Sequence, residues 1–165
     1  MKKIKLTQGK FALVDDEDFE QLSKLKWGFD NSNGYARRVI CGNEKIYMHR
    51  MIMKTPKRLQ TDHINHNKLD NRKINLRIVV QSQNNMNRKK VNNKYGYKGI
   101  NFYNHRKYYT QTTGRVTHPK TWRANIKINK KRISLGFFFT KEEAAQAYNE
   151  AAQKYFGEYA YLNKI

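Results

Sequence analysis

The residue pair with the clearest chemical potential is Asp62-His63, in a short block rich in Asn, Asp and His. Hydrolysis of a phosphodiester needs a base that deprotonates water and a cation that stabilises the developing charge. A neutral His63 can be that base, and Asp62 supplies the hard oxygen that Mg²⁺ prefers. Neighbouring strand residues point to opposite faces, so the pair needs a strand end or a kink to converge. A capped turn with a hydrogen-bonded His63 is the alternative interpretation.

Short elements must position this pair. Residues 1–60 are typical of short strands and turns, with a strand at 10–14, an acidic cluster at 15–18 and a hairpin around the turn at 31–34. A β segment at 77–80 follows the block. Residues 81–90 then predict a polar helix with Ser82 as its N-cap.

The C-terminal part has a pattern of its own. Alternating residues predict three strands at 97–103, 122–128 and 132–138, around a long polar loop at 104–120. Thr140 and Glu143 form a capping box for a helix that runs to about Phe156. Its apolar stripe is Ala144, Ala147, Tyr148, Ala151, Ala152 and Tyr155. Such a sheet, covered by one helix, leaves a bare face.

The positive charge is unevenly distributed. The chain has a formal net charge of +21, and residues 48–165 carry 25 basic and 6 acidic side chains. This favours a polyanionic partner, although a solvated lysine surface is the simpler alternative. No run approaches 18 apolar residues, which excludes a membrane-spanning helix. The single cysteine excludes both an intramolecular disulfide framework and a cysteine-ligated zinc finger.

Residues 49–85 resemble the HNH endonucleases of the homing type, which have the ββα-metal fold. The matching residues are Asp62-His63-Ile64-Asn65, Leu69-Asp70-Asn71-Arg72-Lys73-Ile74-Asn75-Leu76-Arg77 and Ser82-Gln83-Asn84-Asn85. The resemblance implies that His63 is the general base, that Asn75 orients it, and that Asp62 and Asn84 bind the metal. Many relatives have His where this chain has Asn84. The exchange favours one Mg²⁺ or Mn²⁺ per active site over Zn²⁺.

Residues 97–163 resemble the apetala-two type DNA-binding domain of plant ethylene-response factors. The matching residues are Tyr97-Lys98-Gly99-Ile100, Trp122-Arg123-Ala124, Leu135-Gly136-Phe137, Glu142-Glu143-Ala144-Ala145, Ala147-Tyr148, Ala151-Ala152 and Phe156-Gly157-Glu158. That family reads the major groove of DNA with its sheet. The resemblance implies that the corresponding contacts here are Lys98, Asn101, Tyr103, Arg123, Asn125, Lys127 and Arg132.

Further DNA contacts are predicted from charge. Arg50, Arg72 and Arg77 are candidate phosphate clamps, because a guanidinium binds phosphate bidentately. For Arg72 and Arg77, a solvated surface position is the alternative. The basic, Asn-rich segment 88–95 is the best candidate for a linker. Its predicted contacts are Arg88, Lys89, Lys90 and Lys94.

These observations predict an α+β protein with three parts. Residues 1–87 hold a small β-rich region and the ββα-metal nuclease domain, 88–95 the linker, and 96–165 a three-stranded antiparallel sheet packed on one helix. The predicted function is a site-specific, metal-dependent homing endonuclease of phage or intron-encoded type, acting on double-stranded DNA. It would nick one strand as a monomer without a protein partner, in the cytoplasm of a bacterial host, at the nucleoid. A DNA-binding regulator with an inactive nuclease and an RNA- or ribosome-binding protein are the alternatives.

Overall fold

The computed structural model describes residues 1–89, 94–103 and 121–165, without the side chain of Cys41. These residues form four α-helices and four small antiparallel sheets, which confirms the α+β class. They divide into two compact units, Met1–Asn85 and Met86–Ile165. The predicted linker residue Lys90 and the loop 104–120 lie outside the described residues. No helix in the described ranges has the length and apolar character needed to span a bilayer.

The first unit is built from short elements around one apolar core. In chain order they are β1 (Lys2–Lys5), β2 (Phe11–Val14), α1 (Asp16–Ser23), β3 (Gly28–Phe29), β4 (Ala36–Val39), β5 (Lys45–Tyr47), α2 (Met48–Ile52), β6 (Gln60–His63), β7 (Leu76–Val79) and α3 (Gln81–Asn87), whose last two residues belong to the second unit. β1 pairs with β2, β4 with β3 and β5, and β6 with β7. The core contains Val14, Trp27 and Met48, which are almost fully buried.

The β6–β7 hairpin and α3 follow one another in the order that a ββα motif requires. In the hairpin, Asp62 pairs with Arg77 and His63 with Leu76. β6 ends at His63, and a turn begins at Ile64. The Asp62-His63 pair therefore stands at a strand end, where the sequence requires it to be. α2 is not anticipated, because its residues predict only a partly buried apolar stretch.

The second unit is one antiparallel sheet covered by one helix. Its elements are β8 (Ile100–Phe102), β9 (Trp122–Ile128), β10 (Lys131–Phe138) and α4 (Lys141–Phe156). β9 is the central strand, with β8 and β10 on either side. Ile100, Ala124 and Ile126 point to the helix and are buried there.

The sequence signals for α4 are present in the structure. The Thr140 hydroxyl accepts from the Glu143 backbone N–H at 3.1 Å, and the Glu143 carboxylate accepts from the Thr140 N–H, which completes the capping box. One member of the predicted stripe is wrong, since Tyr155 is 47% exposed. Phe156 is buried in its place and closes the C-terminal end of the core. The buried residues of the helix are Ala144, Ala145, Tyr148, Ala151, Ala152 and Phe156.

A bulge between Ser134 and Gly136 changes which side chains of β10 face outward. Ser134 pairs with Asn125 before the bulge, and Phe137 pairs with Arg123 after it. Gly136 has a φ of +124°, a conformation that residues with a Cβ rarely adopt. The extra residue thereby brings Phe137 to the face that carries Arg123.

The close approach of α4 to the sheet leaves no room for a side chain at Gly99. A Cβ at Gly99 would lie 1.9 Å from Cδ2 of Tyr148, whereas one at Gly96 would meet nothing within 4 Å, and both glycines have a φ of +82°. We expect Gly96→Ala to lower the free energy of unfolding by about 1 kcal/mol, and Gly99→Ala by about 3 kcal/mol or more. Hydrogen exchange of the α4 amides measures the difference. Equal losses in the two variants would contradict the packing argument.

Candidate active site

Asp62 is held in the hairpin by an arginine on the neighbouring strand. Its Oδ2 accepts hydrogen bonds from Arg77 Nε at 3.0 Å and from Arg77 Nη2 at 2.9 Å. The two side chains are 9% and 13% exposed. A buried carboxylate is costly unless it is paired, so Arg77 compensates the charge of Asp62 and fixes its position.

Asn84 lies on the face of β6 that carries Asp62. Its Nδ2 donates a short hydrogen bond to Oε1 of Gln60, and Gln60 also bonds to Gln81 at the start of α3. Gln60 and Asp62 are two residues apart on one strand, so their side chains share a face. The structure therefore places the two sequence-predicted metal ligands on facing elements, one on β6 and one on α3.

The donor set at this face fits a hard cation. Asp62 contributes carboxylate oxygens and Asn84 an amide oxygen, the ligand types that Mg²⁺ and Mn²⁺ accept. Mg²⁺ is usually bound by one or two carboxylates with water and substrate phosphate completing the shell. Within the described part of the chain, no three His, Cys, Asp or Glu side chains form a group that could hold a metal. The two predicted ligands, Asp62 and Asn84, both supply oxygen.

His63 is buried against an asparagine that the sequence interpretation missed. His63 is 4% exposed and Asn71 is fully buried, and His63 Nε2 lies 3.2 Å from Asn71 Oδ1. Asn71 belongs to the matching segment, but a lone Asn in a turn-rich stretch is usually a turn residue. Its spacing from His63 carries no signal, because only the folded loop brings the two together.

Asn75 binds the backbone of the loop that joins β6 to β7. Its Oδ1 accepts from the Asn65 N–H at 2.9 Å, and its Nδ2 donates to the Asp70 carbonyl at 2.8 Å. The Ile64 N–H also donates to the Asn75 carbonyl at 2.9 Å. Asn75 thus joins the end of the loop to its start and to its middle. The expected role of orienting His63 directly stays a prediction, and the described bond to the imidazole comes from Asn71.

The rings of Tyr35 and His49 pack around the ring of His63. The rings of His49 and His63 are 5.1 Å apart, and the ring of Tyr35 lies 4.7 Å from His49 and 5.7 Å from His63. Burial lowers the pKa of His49 to about 3, and the charges of His63 and Arg50 act in the same direction. Burial also lowers the pKa of His63, against the opposing effects of the Asn71 bond and the Asp62 charge. Both rings are therefore neutral near pH 7.

The three predicted phosphate clamps have partners within the first unit. Arg50 donates to the backbone carbonyls of Leu59, Thr55 and Pro56 at 3.0 to 3.2 Å. Arg72 binds both carboxylate oxygens of Asp70 at 2.7 Å, and Arg77 binds Asp62. These contacts explain why the guanidinium groups sit where they do, while their phosphate contacts stay predictions. The solvated-surface alternative is wrong for Arg77, which is largely buried.

The predicted linker contacts differ in exposure from Lys98, which the resemblance of residues 97–163 predicts as a DNA contact. Arg88, Lys89 and Lys94 are exposed. Lys98 is not a free surface cation, because its Nζ donates to the Met86 carbonyl at 2.8 Å and to the Arg88 carbonyl at 3.0 Å. Burial lowers the pKa of Lys98 to about 8. Within the second unit, Lys98 therefore satisfies backbone carbonyls at the end of α3.

The other predicted DNA contacts share the sheet face that α4 leaves uncovered. Arg123, Asn125 and Lys127 alternate along β9, Asn101 pairs with Arg123, and Arg132 pairs with Lys127. Paired residues of neighbouring strands point to the same side. Tyr103 joins this set through its ring contact with Phe137, with centroids 5.7 Å apart.

The sequence interpretation omits Ser134 and Phe137 from this face. Arg123 donates to the Ser134 hydroxyl at 3.4 Å, and its guanidinium lies 5.7 Å from the centroid of the Phe137 ring. Strict alternation puts Phe137 on the helix side, and the bulge reverses it. A glycine inside an otherwise regular strand is the signal that could have revealed the bulge.

The buried histidines make the stability of the first unit depend on pH. An unfolded His has a pKa of about 6.5. Because the folded pKa of His49 is lower, the unfolded state binds more protons between these values, and stability is lost as the pH falls below 6.5. We expect His49→Phe to flatten the slope of unfolding free energy against pH by up to about 1.4 kcal/mol per pH unit.

Urea titrations between about pH 4.5 and 7 measure this slope. His66→Asn is the matched control, since His66 is exposed and its φ of +64° suits Asn. An unchanged slope in His49→Phe, or an equal change in the control, would refute the assignment.

A comparison with known proteins identifies a relative that is named as a nuclease. The chain is 34% identical over 164 residues to an uncharacterized HNH endonuclease of Acanthamoeba polyphaga mimivirus, and the match covers 96% of this chain and 77% of that protein. No family profile matches the chain, and no solved structure matches it, so the resemblance of residues 97–163 to ethylene-response factors gains no support. The match extends over nearly the whole chain, and the protein therefore belongs to the HNH endonuclease family.

Proposed function

We propose that this protein is a divalent-metal-dependent endonuclease that hydrolyses phosphodiester bonds of DNA. The observation that carries the proposal is the position of Asp62 and His63 at the end of β6, with Asn84 of α3 bonded to Gln60, whose side chain shares a face of β6 with Asp62. A base and two hard oxygen ligands on one ββα unit are the groups that phosphodiester hydrolysis requires. Membership of the HNH endonuclease family supports the same activity.

His63 is the proposed general base. Burial keeps its imidazole neutral, so the ring has a nitrogen that can accept the proton of the attacking water. Asn71 holds the ring by its other nitrogen, and Asn75 closes the loop that carries Asn71. The base is therefore set in position before DNA arrives, which lowers the entropic cost of reaching the reactive geometry.

Asp62 and Asn84 are the residues that would hold the cation, Mg²⁺ or Mn²⁺, with one ion per site. Such an ion, when bound, stabilises negative charge that develops on the scissile phosphate and the departing oxygen. Arg77 holds the Asp62 carboxylate in a fixed orientation through two hydrogen bonds. Arg77 also adds a positive charge beside the position where the phosphate would lie.

The second unit is the proposed DNA-recognition part. Its bare sheet face combines Arg123, Lys127 and Arg132 with the polar Asn101 and Asn125, and a sheet of this width fits the major groove of a duplex. The resemblance of residues 97–163 to ethylene-response factors implies the same role. We also infer from the resemblance of residues 49–85 that the enzyme is of the homing type, as in phage or intron-encoded relatives. It would leave 5′-phosphate and 3′-hydroxyl ends.

Loss of the general base should slow DNA cleavage strongly. We expect His63→Ala to reduce the rate on a supercoiled plasmid that carries a cleavable site by about 10²–10⁴-fold. EDTA should abolish cleavage by the wild-type protein, and Mg²⁺ should restore it. A monomer with one site should produce open circles before linear molecules.

The matched control is His66→Ala, which removes an exposed imidazole from the same loop and should keep its activity. Cleavage that persists in EDTA or in His63→Ala would refute the mechanism. Tight binding of a specific site without cleavage under any metal would favour the binding-only regulator.

Binding should depend strongly on salt. If 6–10 phosphates are contacted, affinity should fall about 10³–10⁵-fold between 50 and 200 mM salt. We expect Lys127→Ala to weaken binding and to reduce the slope of log affinity against log salt by about 1 for one lost phosphate contact. Fluorescence anisotropy on a labelled duplex measures both.

Lys154→Ala is the control for that measurement, because Lys154 is exposed on α4, away from the bare face. It removes the same charge and should leave the slope nearly unchanged. A flat salt response in the wild-type protein, or equal effects of the two substitutions, would contradict recognition through the sheet.

A further inference from the structure

Asn71 is a fully buried amide whose three polar contacts fix which way it points. Its Nδ2 donates to the Leu69 carbonyl at 3.4 Å and to Met48 Sδ at 3.6 Å, and its Oδ1 lies 3.2 Å from His63 Nε2. A carbonyl and a thioether can only accept hydrogen bonds. The amide nitrogen must therefore face Leu69 and Met48, which leaves the amide oxygen toward the histidine.

This orientation determines which nitrogen of His63 carries the proton. An amide oxygen cannot donate, so the hydrogen bond with His63 forms only if Nε2 carries the hydrogen. A neutral imidazole has one N–H, so Nδ1 is then the nitrogen with the lone pair. Reversal of the amide would turn its oxygen toward the Leu69 carbonyl, so that two buried acceptors face each other without a donor, which costs about 1–3 kcal/mol.

We propose that Asn71 is a positioning residue that holds neutral His63 in the Nε2–H tautomer, so that Nδ1 is the atom that takes the proton from water. The inference rests on the proposed function of His63 as the base. In the step, the O–H bond of water breaks and an N–H bond forms at Nδ1. The ring then carries a hydrogen on each nitrogen, and Nε2–H stays bonded to Asn71.

β2 holds the backbone of Asn71. The Asn71 N–H donates to the Leu13 carbonyl and the Leu13 N–H donates to the Leu69 carbonyl, each at 2.8 Å, so β2 pairs with the loop in parallel. The Lys73 N–H also donates to Asp15 Oδ2 at 2.7 Å. β2 and the acidic segment after it therefore fix both sides of Asn71. β2 and Asp15 therefore take part in positioning Asn71.

The tautomer is measured directly on the full-length, metal-free protein labelled with ¹⁵N-histidine. Two-bond ¹H–¹⁵N correlations distinguish Nε2–H from Nδ1–H, and the spectrum is recorded above the ordinary His pKa of about 6.5. We expect His63 to show the Nε2–H pattern alone. An Nδ1–H pattern, or a mixture of the two, in the wild-type protein would overturn the proposal without any variant.

Two substitutions separate positioning from a merely structural effect. Asn71→Ala removes the acceptor and should give a mixture of tautomers, with a fall in kcat of about 10²-fold and little change in KM for DNA. Asn71→Asp keeps an acceptor oxygen and should keep a hydrogen on Nε2. Retention of the pure Nε2–H pattern in Asn71→Ala would refute the role of Asn71.

Asn67→Ala is the matched control, because it makes the same change in the same loop at an exposed residue that bonds to the Leu69 N–H. It should leave the His63 spectrum unchanged. The spectrum reports which nitrogen of His63 carries the hydrogen, and it does not depend on DNA cleavage. A protein that shows the expected tautomer but cleaves no DNA would refute the proposed function alone.

Discussion

The arrangement of the candidate active site depends on one constraint, which is the burial of polar side chains at the end of β6 and in the loop between β6 and β7. Asp70, Asn71 and Asn75 are each at most 5% exposed, as is His63. A buried polar group without a partner costs about 1–3 kcal/mol, so the loop is stable only when these groups satisfy one another. Few arrangements of the loop do so. The site therefore owes its geometry to hydrogen bonds that also hold the unit together.

The same constraint links distant parts of the chain. The loop has only one short 3₁₀ turn of its own, at Lys73–Asn75, and its backbone also pairs with β2, more than fifty residues earlier in the chain. Lys73 adds ion pairs to Glu17 and Asp18 at 2.6 and 3.3 Å. Three acidic residues of the N-terminal part, Asp15, Glu17 and Asp18, thus lie beside the loop that joins β6 to β7.

Local signals made much of the fold predictable. The capping box of α4, the hairpin around residues 31–34 and the alternation in β9 each depend on neighbours in sequence, and each is present in the structure. β7 and α3 also follow from local pattern, whereas a strand before them is expected only from the resemblance to the ββα-metal fold. Asn71, the pairing of Arg77 with Asp62 and the enclosure of Lys98 depend on contacts between distant residues. No single-sequence pattern carries those contacts, and the bulge that turns Phe137 outward breaks the very alternation on which a prediction would rely.

The close packing of α4 against its sheet has a consequence for how this protein can diverge. Ala144, Ala145 and Ala152 are fully buried at that contact, and Gly99 meets the Tyr148 ring. These positions already carry the smallest side chains, so almost every random exchange there enlarges the residue. Drift at this interface is therefore nearly one-directional and is opposed by selection for folding. The exposed sheet face has no such restriction, so relatives can change the residues of that face while the helix side stays constant.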